Sequence, residues 1–286
     1  MSIETVAVVG SGLMGRGIAY AAALGGYRTL LHDASPEALE RAVSQIGRDL
    51  EEGVARGRVA ADRAHAARSL LSPLSALDDA ARAADFVIEA VPEDLALKRR
   101  IFARLDELAR PEVVLSSNTS ALSIAGIAAA TRRPDRVLGM HFFNPVPKMK
   151  LVEIVRAPAT SAASVATTEE VARRMGKETI LVKESPGFVT SRINALIGNE
   201  AFYMLEEGIA SAEDIDKGVK LGLNHPMGPF EMVDLVGLDT RLAVLEHLHQ
   251  SLGEKYRPAP LLVQHVKAGR LGRKAGRGVY DYPGDE

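Results

Sequence analysis

Residues 3–23 read IETVAVVGSGLMGRGIAYAAA. Ile3 to Val9 is mostly apolar and rich in β-branched residues, as a strand buried on both faces requires. Only Glu4 and Thr5, near its start, are polar. The run leads into Gly10, Gly12 and Gly15 of a G-x-G-x-x-G pattern, with Leu13 and Met14 inside it, and Ile18 to Ala23 continues as a helix. The three glycines serve a tight turn, a close approach of backbone to a pyrophosphate, and close packing of helix on strand. The phosphates would rest on the N–H groups and positive end of that helix. A second short run, Thr29 to Leu31, ends at Asp33, 18 residues after Gly15. An acidic side chain there accepts from a ribose 2′-hydroxyl and repels a 2′-phosphate. Glycines alone also make ordinary turns. Strand, glycines, helix, strand and Asp in this order point to a dinucleotide, and Asp33 to NAD rather than NADP.

A second stretch, HFFNPVPKMKLVE at 141–153, carries candidate chemistry. Val137, Leu138 and Met140 read as the end of a buried strand, and Leu151 to Val155 as the start of another. Pro145 and Pro147 cannot donate to a sheet ladder, so the link between the strands is irregular. His141 then lies where one strand ends and Glu153 on the strand that returns past it. A carboxylate beside an imidazole fixes its tautomer and stabilises the imidazolium, as proton transfer requires. Taken alone, the pair also fits a buried His held only by a hydrogen bond.

The α/β rhythm runs to about residue 185. Ser35 and Pro36 read as N-cap and first residue of a helix with Leu39, Val43, Ile46 and Leu50 on one face. With a partner helix from about Ala60 to Arg68 it forms an insertion over about 35–68. Phe86 to Val91 reads as a strand, followed by a helix with Leu97, Ile101, Leu105 and Leu108 inward. Val113 to Ser116 reads as another strand, ending in SSNTS at 116–120. Polar clusters at strand ends matter because open α/β sheets bind ligands outside those ends. The SPGF at 185–188 marks a boundary between residues 1–185 and 186–286. Beyond it only helices are expected: Phe188 to Glu207, Ala212 to Leu221 capped by Ser211, roughly Gly228 to Ser251, and Pro258 to Lys267. In the first of these Ile193, Leu196, Ile197, Phe202 and Leu205 exceed one apolar stripe, which predicts burial against a partner subunit as well as against the sheet domain.

Composition narrows the class. A formal net charge of −2 gives no basis for nucleic-acid binding. No apolar run approaches the roughly 18 residues of a membrane span. A strand starting at Ile3 leaves no room for a leader, and a cytoplasmic setting is the default expectation. With no cysteine there is no disulfide, thiolate nucleophile or Cys-ligated metal. His247 and His249, two apart on a helix, point to different sides and make no metal site.

GSGLMGRGIA at 10–19, IEAVPEDLALK at 88–98, SNTSALSI at 117–124 and HFFNPVPKMKLVEIV at 141–155 together resemble the L-3-hydroxyacyl-CoA dehydrogenase family. So do ESPGFVTSRI at 184–193, NHPMGPFEMVDLVGLD at 224–239 and the GRKAGRGVYDY near the C-terminus. Within the family the likeness is greatest to the short-chain bacterial 3-hydroxybutyryl-CoA dehydrogenases. The resemblance implies a Rossmann-like doubly wound sheet domain followed by an all-helical domain that dimerises. It also implies an acyl-CoA substrate, which neither spacing nor composition reveals.

Carried onto this chain, the resemblance makes His141 the catalytic base and Glu153 its orienting partner. Ser120 matches a residue that hydrogen-bonds the reacting oxygen beside the nicotinamide; it also reads as the N-cap of a helix over Ala121 to Ala130. Glu93, Lys98 and Asn118 match cofactor contacts, although Glu93 and Lys98 otherwise read as surface charges on a helix. Arg56 falls where the family places a basic residue near the coenzyme A phosphates. One departure stands out: many members have Asn where this chain has Ser191, before Arg192, and that Asn reaches toward the substrate. Asn194 lies on nearly the same helix face. Two alternatives remain open, a related sugar-acid 3-dehydrogenase and a non-catalytic, crystallin-like NAD-binding protein. Intact Ser120, His141 and Glu153 argue against the second.

Overall fold

The computed structural model describes residues 2–282, which divide into two compact units on either side of the Ser185–Pro186 boundary. The first is a sheet layered with helices. Its opening elements are β1 (Thr5–Val9), α1 (Leu13–Leu24) and β2 (Arg28–His32). Every residue of β1 is buried, as a strand flanked on both sides and covered on both faces must be. Next come α2 (Pro36–Ala55), α3 (Ala61–Leu70), β3 (Leu71–Leu74), α4 (Leu77–Ala83) and β4 (Phe86–Glu89). The Ser35 hydroxyl accepts from the Ala38 N–H at 3.1 Å and caps α2 as its sequence predicts. Then follow α5 (Leu95–Leu108), β5 (Val114–Ser117), α6 (Ile124–Ala128), β6 (Val137–Phe142), β7 (Leu151–Arg156), α7 (Ala162–Arg174) and β8 (Glu178–Lys183).

The eight strands run in the order β3-β2-β1-β4-β5-β6-β7-β8. The first six in that order are parallel, β7 is antiparallel to β6, and β8 is parallel to β7. The order reverses between β1 and β4, so a crevice opens there beyond the carboxyl ends of the strands. This is the doubly wound sheet that the glycine pattern predicts.

The sheet unit differs from the sequence reading in several places. The strand read as Phe86 to Val91 stops at Glu89, and β3 with α4 was not anticipated. β3 contains Pro73, which a sheet tolerates at an edge, and β3 is an edge strand. On α5 the buried positions are Lys98, Phe102, Leu105 and Asp106, while Leu97, Ile101 and Leu108 are only half-buried. The helix is rotated because two charged groups, and not the leucine stripe, find partners inside.

The second unit is helical: α8 (Thr190–Glu206), α9 (Ala212–Gly222), α10 (Pro229–Val236), α11 (Leu238–Leu252) and α12 (Pro260–Lys267). Ser211 caps α9, its hydroxyl accepting from the Asp214 N–H. The stretch read as one helix from Gly228 to Ser251 is two, broken at Gly237, whose φ of 104° lies where L side chains are strained. Phe202, Phe230, Leu238, Leu245 and Leu248 are completely buried in its core. Among the described residues no helix is long and apolar enough to cross a membrane.

Buried Asp106 fixes the approach to β6. Its oxygens accept from the Arg133 Nε at 2.6 Å and from the Arg132 N–H and Nε at 3.0 and 3.1 Å. Burial presses this carboxyl upward, but the Arg132 and Arg133 donors outweigh it, and the group lies below its ordinary value. A depressed folded-state carboxyl contributes stability that is full above its unfolded value and lost as pH falls through the folded one. Asp106→Asn should therefore lower urea-measured stability by about 2–4 kcal/mol at neutral pH, because it leaves Arg133 poorly paired. The difference should shrink as pH drops below about 4.

Candidate active site

The glycine turn is built as its sequence requires. Gly10 has φ +102° and a Cβ there would sit 2.7 Å from the Ala90 carbonyl oxygen. A Cβ at Gly15 would lie 1.8 Å from the Gly10 oxygen, so only glycine lets α1 pack on the turn. At Gly12, the N-cap of α1, a Cβ would meet nothing within 4 Å. The helix N-terminus thus faces open space, with no acidic residue in its first turn to compete for an anion. That space is a cavity of about 1450 Å³ bordered by Gly10, Gly12, Leu13, Met14 and Asp33. Leu97 and Ile101, displaced from the core, form part of its wall, and Arg16, Arg41 and Arg48 add positive charge. Size, glycine cradle and cationic lining fit a dinucleotide.

Asp33 follows the end of β2. One oxygen accepts from the Ser11 N–H and hydroxyl, both at 2.7 Å, and the other from the Ser35 N–H at 3.0 Å. Burial raises this carboxyl, but the hydrogen bonds from Ser35 and Ser11 outweigh it and hold the group below its ordinary value.

His141 and Glu153 are directly opposed across the antiparallel β6–β7 pair. His141 Nδ1 and Glu153 Oε2 are 2.7 Å apart, with the Glu153 side chain fully buried and that of His141 9% exposed. The neutral imidazole donates from Nδ1 to the carboxylate, which leaves Nε2 as the atom able to accept a proton. The Phe143 ring lies 4.6 Å from the imidazole, centroid to centroid, and restricts its tilt. Two residues before His141, Gly139 admits Val155 and Ile124 so closely that a Cβ would meet them at 2.8 and 3.0 Å, which locks the register.

The neighbouring strand ends supply the other candidates. Asn118, just past β5, accepts at Oδ1 from the Phe142 N–H at 2.8 Å and so ties its loop to the residue after His141. Ser120 is exposed, and its N–H donates to Glu93 Oε1 at 2.9 Å. Ser120 does not cap a helix: α6 starts at Ile124, and Ser123 caps it by accepting from the Gly126 N–H. The loop at 119–122 stays irregular because Glu93 gathers its amides before helix can form. Lys98 is not a surface charge but fully buried, its Nζ 2.7 Å from Glu89 Oε1 and 3.5 Å from Glu93 Oε2.

Arg56 caps the C-terminal end of α2 and pairs with Glu52 at 2.7 Å, more than half exposed. Ser191 and Asn194 lie half-buried in the first turns of α8, in the second unit. The structure also adds residues that the sequence reading passed over. Glu89 and Ser117 are completely buried polar groups at strand ends. Glu184 accepts from the Ser123 hydroxyl at 2.7 Å and from the Ala125 N–H, anchoring α6. Lys177 Nζ donates to the Val146 and Met149 carbonyls at 2.5 and 2.8 Å and clamps the link between β6 and β7. A charged residue inside the apolar run FVIEAV was the available signal for Glu89. Among the described residues no cluster of His, Asp and Glu could hold a metal ion.

Residues 5–185 match the model of the 3-hydroxyacyl-CoA dehydrogenase NAD binding domain, and residues 187–282 that of the 3-hydroxyacyl-CoA dehydrogenase C-terminal domain. The chain is 45% identical over 283 residues to a probable 3-hydroxybutyryl-CoA dehydrogenase of Bacillus subtilis (strain 168), covering 99% of this chain and 98% of the relative. It is 44% identical to a 3-hydroxybutyryl-CoA dehydrogenase of Bradyrhizobium diazoefficiens, with 99% and 96% covered. The crystal structure of (S)-3-hydroxybutyryl-CoA dehydrogenase from Ralstonia eutropha superposes with a TM-score of 0.96 at 45% identity, over 99% of this chain and 100% of the other.

Asp33 should set cofactor choice. A half-buried like charge against a 2′-phosphate costs more than ~1.4 kcal/mol, so kcat/KM should favour NAD(H) over NADP(H) by at least about tenfold. Because the carboxyl is held below its ordinary value, Asp33 stays charged from about pH 5 to pH 8 and the preference for NAD(H) should persist across this range. Equal kcat/KM with NADPH, or a ratio that collapses within this range, would remove Asp33 from that role.

Proposed function

The chain belongs to the 3-hydroxyacyl-CoA dehydrogenase family, and from that premise we propose that it oxidises short-chain L-3-hydroxyacyl-CoA with His141 as the base and Glu153 as its partner. The reaction is the reversible, NAD-dependent conversion of a 3-hydroxyacyl-CoA to the 3-ketoacyl-CoA. The observation that carries the assignment is the 2.7 Å contact between a nearly buried imidazole and a fully buried carboxylate, at the carboxyl end of β6. When bound, NAD supplies the acceptor for the hydride that leaves C3.

His141 takes the proton of the C3 hydroxyl at Nε2, the nitrogen that Glu153 leaves free of a proton. Glu153 then faces the imidazolium across a short, water-free contact and stabilises the charge as it forms. In the reverse direction the imidazolium returns the proton to the ketone oxygen. Ser120, on the loop that Glu93 holds, donates to the reacting oxygen. Asp33 takes the adenosine ribose, and Gly10, Gly12 and Gly15 shape the pyrophosphate turn, with Leu13 exposed and Met14 half-buried beside it. Glu93, Lys98 and Asn118 frame the nicotinamide end. Arg56 stands for the coenzyme A phosphates. The short-chain preference rests on the relatives at 44–45% identity, one named a 3-hydroxybutyryl-CoA dehydrogenase and the other a probable one.

An NADH absorbance assay tests the reading. Turnover with acetoacetyl-CoA and none with a keto sugar acid separates it from the sugar-acid alternative, and inactivity with both would favour a non-catalytic protein. His141→Gln should lower kcat by roughly 10²–10⁴ while NADH binding changes little. Ser191→Ala removes one neutral hydrogen bond worth about 0.5–1.5 kcal/mol, so kcat/KM should fall by no more than roughly tenfold. If the two variants were equally impaired, Ser191 would belong with the proton-transfer residues.

The helical unit is also proposed to pair two copies of the chain. Ile193, Leu221, Leu223 and Leu235 are 55%, 77%, 66% and 51% exposed, which is apolar surface for a second copy to cover. Light scattering at micromolar concentration should give the mass of a dimer, and a monomer would refute the pairing.

A further inference from the structure

Behind the Ser120 loop lies a chain of charges that the proton-transfer step does not use. Glu89, at the last position of β4, is completely buried and accepts hydrogen bonds at both oxygens. Its Oε1 accepts from Lys98 Nζ and from the Val91 N–H, both at 2.7 Å, and its Oε2 from the Ser117 hydroxyl at 2.6 Å. Lys98 is equally buried; it donates to the Val91 carbonyl at 3.2 Å, and Glu93 Oε2 lies 3.5 Å away. Glu93, more than a third exposed, turns its other oxygen to the loop. That oxygen accepts from the Thr119 hydroxyl at 2.5 Å and from the N–H groups of Ser120 and Ala121 at 2.9 and 3.2 Å.

We infer that Glu89 is a positioning residue, which acts through Lys98 and Glu93 to fix the loop bearing Ser120. The inference rests on the dehydrogenase reading for its kinetic consequence, but not for its structural one. Two facts carry it. A buried ammonium needs a partner, and a buried ion pair can often be replaced by apolar groups without loss of stability, so stability alone does not account for it. The pair also does not end in the core: Lys98 leads on to Glu93, the carboxylate that collects four donors from the loop, the Ser120 hydroxyl at 3.4 Å among them. With Glu89 neutral, the closest remaining anion for Lys98 is Glu93. Pulled toward Lys98, Glu93 would release the amides of Ser120 and Ala121.

The test compares the unaltered enzyme with Glu89→Gln, Lys98→Met and the double variant. Glu89→Gln keeps the shape and removes the charge. Its kcat with 3-hydroxybutyryl-CoA should fall by about tenfold or more, and by a larger factor than the Kd for NADH, read by fluorescence, rises through the displaced Glu93. Amide exchange in a peptide spanning residues 119–122 should accelerate, a readout that needs no turnover. Added to Lys98→Met, the Glu89 substitution should lower kcat no further, since its effect passes through Lys98. Should Glu89→Gln fail to fold, Ser117→Ala, which removes only one donor to Glu89, should show the same pattern at about two- to threefold. Unchanged exchange at 119–122 would overturn the proposal whatever the turnover. So would normal kcat, or kinetic losses that simply add in the double variant. An unaltered enzyme without activity on 3-hydroxybutyryl-CoA would count against the dehydrogenase reading instead, and the exchange measurement would still decide the role of Glu89.

Discussion

One strand reversal organises the chemistry of this protein. Six parallel strands bring their carboxyl ends to one edge, and then β7 runs back along β6. Only an antiparallel neighbour sets a side chain twelve residues later directly opposite His141, with the link folded outside the sheet. Because side chains alternate, a slip of one residue would turn Glu153 to the other face. Gly139 against Val155 and Ile124, and the Lys177 clamp on the link, hold that register. The carboxylate is thereby fixed against the ring by backbone ladders instead of by its own rotamer, and it reaches the imidazole already desolvated.

The same edge gathers the remaining polar groups. Asp33 beyond β2, Glu89 closing β4, Ser117 closing β5 and His141 near the end of β6 all sit where apolar strands give way to loops. Each carboxylate there accepts from three nearby donors, and Asp33 shows the balance: burial opposes its charge, while hydrogen bonds from Ser35 and Ser11 more than restore it. A core of Val, Ile and Leu behind the edge supplies the low dielectric in which such contacts are strong.

Most of this architecture is legible in the sequence. Alternation of apolar runs with glycine and Asp signals gives β1, α1 and β2, the Ser35 cap gives α2, and the prolines at 145 and 147 give the irregular link. What escaped reading did so for physical reasons. β3 is a four-residue edge strand containing Pro73, too short for a periodic signal. On α5, leucines at helical spacing suggested the buried face, but Lys98 and Asp106 took it because each finds partners there. A burial pattern written by ion pairs has no hydropathy signature. Ser120 looked like a cap because its neighbours suit a helix; the Glu93 carboxylate, 27 residues away in sequence, claims its amide. Gly237 broke one predicted helix into two by its backbone angle alone.

The central claim is that His141 carries the proton in both directions of the reaction. Oxidation requires the neutral imidazole and reduction the imidazolium, so the pH dependences of the two directions must oppose each other. The direct measurement is kcat/KM against pH for 3-hydroxybutyryl-CoA oxidation and for acetoacetyl-CoA reduction, in the unaltered enzyme and in His141→Gln. The account predicts that oxidation rises and reduction falls as pH increases, and that both trends vanish in the variant. Parallel profiles in the two directions, or opposed profiles that survive the loss of His141, would contradict it.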